Sequence, residues 1–501
     1  MFFPERNAFK ELYDNGDPQV VYTRLVADLE TPVSAMLKLS TDKTNCFLLE
    51  SVEGGKTRGR YSIIGLDPDI LFRAHGDVAE TQNIGLGEEI FSKTDLPTLS
   101  ALRKLLDQSR INLPEELPPM AAGVFGYLGY DTVRLIECLP DVNPDHLNNP
   151  DSIMMRPTIV IVFDTVKDEI TVVTPVRPST SISAEDAYAA AKTRLDTVID
   201  NLDGPINKSA FSVHEAKPLD IRSNTPQVTY LDMVAKAKEY IAAGDIFQVV
   251  LAQRFETDFT LPPIALYRAL RRTNPAPYLF FLKFDDFSVI GSSPEILVRV
   301  RDGEVTIRPI AGTRPRGKTP DEDRRYSEDL LNDPKELAEH LMLLDLGRND
   351  VGRVSKIGSV NVTDKFFLEY YSHVMHIVSN VIGDLDPKYD MLDALGAGFP
   401  AGTVSGAPKV RAMEIIDELE IDKRGIYAGC VGYFTADGDM DTCIVLRTAV
   451  VKNDKMYVQA GAGIVADSVP ISEYDECVNK AKALFGAAEE AVRFASQTNR
   501  G

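Results

Sequence analysis

The chain has 501 residues, more than one ordinary hydrophobic core organises, so about two or three compact units are expected. Hydrophobic residues make up 44% and charged residues 26%, and no apolar run nears the ~20 residues that span a bilayer, which excludes disordered and membrane-spanning classes. The net charge of −21 argues against nucleic acid and acidic membrane as partners, since both are polyanions, yet leaves room for a small anionic substrate held by local cations or a metal ion.

The start, MFFPERNAFKELYDNGD, has acids and a proline where a signal peptide needs a basic and then an apolar region, so a cytoplasmic protein is expected. Five scattered cysteines without a C-x-x-C pair read as reduced, mostly structural thiols. Residues 1–203 form a β-rich N-terminal part, in which CFLLESV and PTIVIVFDTV alternate with helical SAEDAYAAAKTRLDTVIDNL. Residues 204–228 lose periodicity, gather Pro, Ser, Asn and Lys, and read as a linker. Residues 229–501 form the second part. A helix is expected from a capping box of Thr229 and Asp232 to Gly244, followed by the strand FQVVLAQRF. The next helix starts at Asp333 as N-cap, with Pro334 at N1 and Glu336 at N3. Strands with hairpin turns at DG and ND follow, up to the helix in SEYDECVNKAKALFGAAEEAV. Hairpins with intervening helices predict an α+β fold with large antiparallel sheets, and neither a G-x-G-x-x-G after a strand nor a Walker loop is present.

Glu336 and Glu339 share one helix face, and Glu473, Glu476 and Lys480 share another. Two such helices could hold one hard cation such as Mg²⁺, which takes one or two carboxylates plus substrate and water. From spacing alone the simpler reading is favoured: Glu336 is half of a cap and Glu476 with Lys480 an ordinary surface pair. FPAGTVSGAPK and QAGAGIVADS offer backbone N–H groups to an anion, or are simply tight turns. Arg447, in the apolar strand CIVLRTAV, needs a partner, either a carboxylate-bearing ligand or a structural acid. His373 and His376 are three apart, but no further metal ligand is close in sequence, and an orienting or core histidine is the better reading. Cys430, in AGCVG, lies in hairpin strands and reads as a buried sheet residue rather than a nucleophile.

The order of DIFQVVLAQRF, GSSPE, IRPIAGTRPRG, ELAEHLMLLDLGRNDVGRV, YSHVMHIVS, FPAGTVSGAPK, GYFTADGDMDTCIVLRT, QAGAGIVADS and SEYDECVNKAKAL resembles the chorismate-utilising enzymes, and among them the anthranilate synthase component I family. The resemblance spans 225–490 and is looser before that, at FLLES, RYSIIG and AAGVFGYLGYD. It implies a sandwich of antiparallel sheets with helices outside. It also implies an Mg²⁺-dependent lyase in which ammonia adds to chorismate at C2, the C4 hydroxyl leaves, and pyruvate elimination gives anthranilate. By the same resemblance Glu339 and Glu476 hold Mg²⁺, with Glu336 and Glu473 acting through water. Glu295 is the general acid for the hydroxyl, which requires a raised pKa. Arg447, Tyr427, Gly461 and Gly463 hold the pyruvyl carboxylate, and Gly312, Thr313 and Thr403 line the ring. Lys480 is a cation of the site helix, and His376 serves the pyruvate elimination.

Two positions distinguish relatives. Isochorismate synthases carry a lysine base where Gln248 stands, and aminodeoxychorismate synthases usually carry a nucleophilic lysine where Ala311 stands. Gln248 and Ala311 therefore imply ammonia attacking C2. The alternatives are an aminodeoxychorismate synthase component I and a non-catalytic amino-acid-binding regulator on the same scaffold. The resemblance further implies tryptophan feedback through Glu50, Ser51, Asn274, Pro277, Tyr278, Val431 and Tyr433. A separate glutaminase subunit, or free ammonia, would supply nitrogen.

Overall fold

The computed structural model describes residues 1–53, 57–206, 218–371 and 374–496; His373 and residues 207–217 of the expected linker lie outside them. Every strand pairing among the described residues is antiparallel. The sandwich follows from side-chain alternation, because successive residues of a strand point to opposite faces. Phe47, Ile63, Val162, Phe280 and Val289 pack together in a core built almost wholly from strands. Their neighbours Leu48, Ile64, Ile161, Phe281 and Ile290 face the other way, into a core shared with helices Arg6–Asp14, Ala184–Asp203, Pro263–Thr273 and Pro470–Ser496. A third core lies under helices Thr98–Gln108, Pro334–Gly352 and Met391–Gly398. Strands thus meet strands inside and helices outside.

The strands on either side of the linker are hydrogen-bonded to one another. Cys46–Glu53 pairs with Tyr278–Lys283, and Gly123–Leu128 with Cys430–Thr435. Helices of the two parts meet as well: Arg134 donates to Asp131 at 3.0 Å and bidentately to Asp417 at 2.7 and 2.8 Å.

Three local expectations are corrected. Helix Gln227–Ala243 begins at Pro226, so Thr229 and Asp232 lie inside it and no side chain caps it. Tyr230 explains the earlier start: it is fully buried and donates to the Leu251 carbonyl at 3.0 Å, which fixes the first turn against the sheet. QAGAGIV is not a turn, because strand Lys455–Ile464 runs through it, paired with Gln248–Asp258 over ten residues. Arg447 is not in a strand; it sits at φ +48 in the break between Met440–Ile444 and Thr448–Lys452. The other punctuation agrees with the sequence. Gly244 closes its helix at φ +85, the side chain of Asp333 accepts from Lys335 and Glu336, and Asp437-Gly438 and Asn453-Asp454 lie between paired strands. Cys430 is buried in the sheet. No helix among the described residues is long and apolar enough to cross a membrane.

Removing Arg134 would leave Asp131 and Asp417, both buried, without their cation. Breaking such a pair costs about 3 kcal/mol. Arg134→Met is expected to lower the denaturation midpoint accordingly, and an unchanged midpoint would remove this contact from the forces joining the two parts.

Candidate active site

The Gln248–Asp258 strand and its partner Lys455–Ile464 form the floor of the site. Alternation again decides the sides: Val249, Leu251, Ala462 and Ile464 are buried beneath helices Gln227–Ala243 and Lys409–Leu419. Gln248, Gly461 and Gly463 therefore face the other way. The glycines keep that floor low, since a Cβ at Gly463 would lie 2.6 Å from Gln248 Nε2 and one at Gly461 3.0 Å from the Tyr427 hydroxyl. Gln248 Nε2 donates to Glu339 Oε1 at 3.1 Å, while its Oε1 is buried without a partner.

Strand Ile310–Pro315 forms the second wall. Ala311 opposes Ile377 and Thr313 opposes His376, with a register shift at Gly312, whose φ is +75. A Cβ at Gly312 would lie 3.1 Å from Glu336 Oε2, so the bulge lets the helix approach the strand. Arg314 then ties the two, donating to Glu336 at 3.1 Å, Asp333 at 2.7 Å and Asp329 at 2.6 Å. Arg316 is occupied by Asp323. The arginines of IRPIAGTRPRG hold the loop.

The carboxylates of the two helices sense one another. Burial first, then Glu336 and Glu476, push Glu339 above the usual carboxylate range, against a lowering hydrogen bond from Gln248 and the charge of Lys335. Glu473 is likewise raised by burial and by Glu476, against a hydrogen bond from Ser468. Glu476 pairs with Lys480 at 2.8 Å, and Lys480 donates to the Gly461 carbonyl at 2.8 Å. Among the described residues no three His, Cys, Asp or Glu side chains form a ready metal cage. The donors nevertheless fit Mg²⁺, which asks for hard oxygens from one or two carboxylates and takes the rest from substrate and water. Glu339, Glu476 and the orphaned Gln248 Oε1 are such donors.

Glu295 is buried, and burial pushes its carboxyl up to about 8 although Thr403, the Ile310 backbone and Arg447 oppose the shift. Thr403 Oγ1 donates to both carboxyl oxygens at 3.2 and 3.3 Å. The backbone of the Thr403 turn is less open to anions than FPAGTVSGAPK suggested: the Val404 and Ser405 N–H groups bond to the Ala401 and Gly402 carbonyls within the turn. Arg447 is held below its ordinary value by burial, and Tyr371 and Glu295 pull it back. Among the described residues no carboxylate lies within ion-pair distance of its guanidinium. It faces a cavity of about 720 Å³ that Tyr371, Glu476 and Lys480 also line. His376 is neutral, pushed down to about 4 by burial and then by Arg447. Its Nδ1 lies 3.1 Å from the Gly312 carbonyl, which only accepts, and 3.0 Å from the Thr313 hydroxyl, which can accept as well, so the carbonyl sets Nδ1 as the donor and leaves the lone pair on Nε2.

A family model described as chorismate binding enzyme matches residues 44–486. The chain belongs to the chorismate-binding enzyme family. It is 56% identical over 496 residues to a Cereibacter sphaeroides protein named anthranilate synthase component 1, covering 99% of each chain. A relative of the same name from Aquifex aeolicus is 48% identical, covering 96% of this chain and 97% of that one. The crystal structure of anthranilate synthase component I from Streptococcus pneumoniae is 39% identical and superposes with a TM-score of 0.76, over 92% of this chain and 99% of that one. MenF, the menaquinone-specific isochorismate synthase of Escherichia coli, shares the fold at 20% identity with a TM-score of 0.70, over 96% and 99% of the two chains.

Within this family fold, a second cluster adjoins the cavity, which Asn274 also lines. Ser51 opposes Tyr278, Tyr433 opposes Asp441, and the Tyr278 hydroxyl donates to Asp441 at 3.3 Å. Val431 is in the same strand and on the same face as Tyr433. Asn274 Nδ2 is buried without a partner, with Pro277 next along the chain before Tyr278. Glu50 points to the opposite face, where Arg271 grips it at 2.6 and 2.8 Å and Tyr267 donates at 2.5 Å. Tyr371, beside Arg447, is the site residue that sequence reasoning missed, because nothing in EYYSH sets one tyrosine apart.

The raised carboxyl of Glu295 has a consequence for stability. Its ordinary value is 4.5 and its folded value about 8, so the native state binds the extra proton between them. The contribution of Glu295 to native stability is therefore greatest below the unfolded value, falls as pH rises toward the folded one and then levels off. Glu295→Gln cannot titrate, so its melting temperature relative to wild type is expected to climb between about pH 5 and 8 and then level off. A pH-independent difference would contradict the buried neutral acid.

Proposed function

We propose that this chain is the chorismate-binding component of an anthranilate synthase, a lyase converting chorismate and ammonia to anthranilate and pyruvate on the way to tryptophan. The observation that carries the reading is Glu295: a buried neutral acid, held by Thr403 and sensing the charge of Arg447, which has no carboxylate partner among the described residues. Arg447 and Tyr427, with the backbone at Gly461 and Gly463, would take the pyruvyl carboxylate, and Gly312, Thr313 and Thr403 would border the ring. Ammonia forms the bond to C2, the ring electrons shift, and the C4–O bond breaks as Glu295 gives its proton to the departing water. His376 Nε2 then takes the C2 proton, the ring becomes aromatic, and the C3–O bond breaks to release enolpyruvate, which tautomerises to pyruvate.

Mg²⁺, held by Glu339 and Glu476 with Glu336 and Glu473 behind them through water, would neutralise the ring carboxylate and offset charge on the leaving oxygen. Gln248 holds Glu339 in place and has no basicity to activate water. Ala311 has no amine to attack the ring. Both support ammonia as the nucleophile at C2. Nitrogen would come from a separate glutaminase subunit or from free ammonia, in the cytoplasm. The cluster of Ser51, Tyr278, Pro277, Val431, Tyr433 and Asn274 supports tryptophan feedback, with aromatic walls for an indole and Glu50 bracing the strand through Arg271.

Purified protein with chorismate, ammonium and Mg²⁺ is expected to release fluorescent anthranilate. Aminodeoxychorismate or isochorismate as product would refute the assignment. Glu295→Gln is expected to lower kcat by about 10²-fold or more. At fixed free-ammonia concentration, kcat/KM should fall as pH rises through about 8, where Glu295 loses its proton.

A further inference from the structure

His376 has to accept a proton beside a cation. Arg447 already depresses it, and none of the groups assigned to the reaction offsets the imidazolium that forms when Nε2 takes the C2 proton. The sheet supplies one. Glu369, in strand Asn361–Tyr370, stands directly opposite His376 in the ladder with Val374–Asp384, so the two side chains leave the same face with Cβ atoms roughly 5 Å apart. Tyr371 joins them. Its ring packs edge-on to the imidazole, with centroids 5.4 Å apart at 63°, and its hydroxyl donates to Glu369 Oε2 at 2.7 Å. Arg308 pairs with the other carboxylate oxygen and pins the side chain. The charged and titratable groups around His376 are thus Arg447, Glu369 and Tyr371, and the Thr313 hydroxyl lies 3.0 Å from Nδ1.

We propose that Glu369, held by Arg308 and Tyr371, is a positioning residue that supplies the counter-charge for the His376 imidazolium during pyruvate elimination. The proposal rests on the anthranilate-forming reaction proposed for this site. Glu369 touches neither substrate nor the transferred proton. It acts through His376, by favouring the charged ring in the one half-reaction that needs it, and leaves amination to Glu295.

The test separates the two half-reactions. Glu369→Gln keeps a carbonyl for Tyr371 and removes the charge. Chorismate consumption should stay within about twofold of wild type. Anthranilate release should slow by about tenfold, a fraction of the ~10²-fold that a positioned base contributes, with the aminated, still enolpyruvyl-bearing ring accumulating in quenched samples by mass. Glu369→Asp should restore the balance. Anthranilate that keeps pace with chorismate consumption in the Gln variant, whether both stay fast or both slow, overturns the proposal. A second measurement does not depend on turnover. In protein labelled with ¹³C-histidine, the His376 signal, identified by its loss in His376→Asn, should titrate at lower pH in Glu369→Gln. An unchanged midpoint overturns the coupling even if wild type makes no anthranilate, an outcome that would sink the assigned reaction separately. Should Glu369→Gln not fold, Tyr371→Phe, which keeps the ring against His376, carries the same two measurements: slowed anthranilate release and a lowered His376 midpoint support the coupling, and an unchanged pair overturns it.

Discussion

The ten-residue ladder between Gln248–Asp258 and Lys455–Ile464 governs everything at the site. One face of this ladder is sealed by two helices through Val249, Leu251, Ala462 and Ile464. Because side chains alternate strictly, that burial obliges Gln248 and the two glycines to look the other way, where Gln248 meets Glu339 of helix Pro334–Gly352. A slip of one residue would bury the amide and drive valine and leucine into the reaction cavity. The register is therefore a chemical constraint as well as a packing one, and the missing side chains at Gly461 and Gly463 are what keep room beside Gln248 and Tyr427.

Electrostatics around that floor are divided by sign. Glu336, Glu339, Glu473 and Glu476 gather on the helix side, where Arg314 pairs with Glu336 and Lys480 with Glu476, while burial and then neighbouring acids push Glu339 and Glu473 up. Arg447 is stranded on the other side with few acceptors, and Glu295 escapes the cost of burial by staying protonated. Burying these groups is costly, and the proposed substrate with Mg²⁺ would offset part of that cost. The same logic runs through the bulge at Gly312, which brings Glu336 up to the strand while Arg314 and the acids near it lock the approach.

Much of this is legible in the chain itself. Asp333-Pro334-x-Glu336 announces a helix start through its capping chemistry, and DG and ND mark the turns that positive φ requires. The i, i+3 spacing puts each pair of glutamates on one face. Other features mislead. The glycines of QAGAGIV imitate a turn, yet ten backbone pairings override their local preference. Thr229 and Asp232 have the right chemistry for a cap, but the burial of Tyr230 against Leu251 moves the helix start to Pro226. The adjacency of Glu50 and Ser51 in LLES suggests one site for both, whereas alternation sends them to opposite faces of the sheet.

The sequence alone determined the fold class, the family and the chemistry at individual positions: the carboxyl of Glu295, the amide of Gln248, and no amine at Ala311. These are properties of residue type and local spacing, which a linear chain carries without folding. Tertiary structure alone decided which of those groups share a low-dielectric space. Glu295 is a neutral acid only because burial strips its water, Arg447 lacks a carboxylate partner among the described residues only because the strand breaks to turn it inward, and Glu369 stands beside His376 only because a ladder aligns them. Desolvation and cross-strand proximity depend on distant parts of the chain, and no local pattern encodes them.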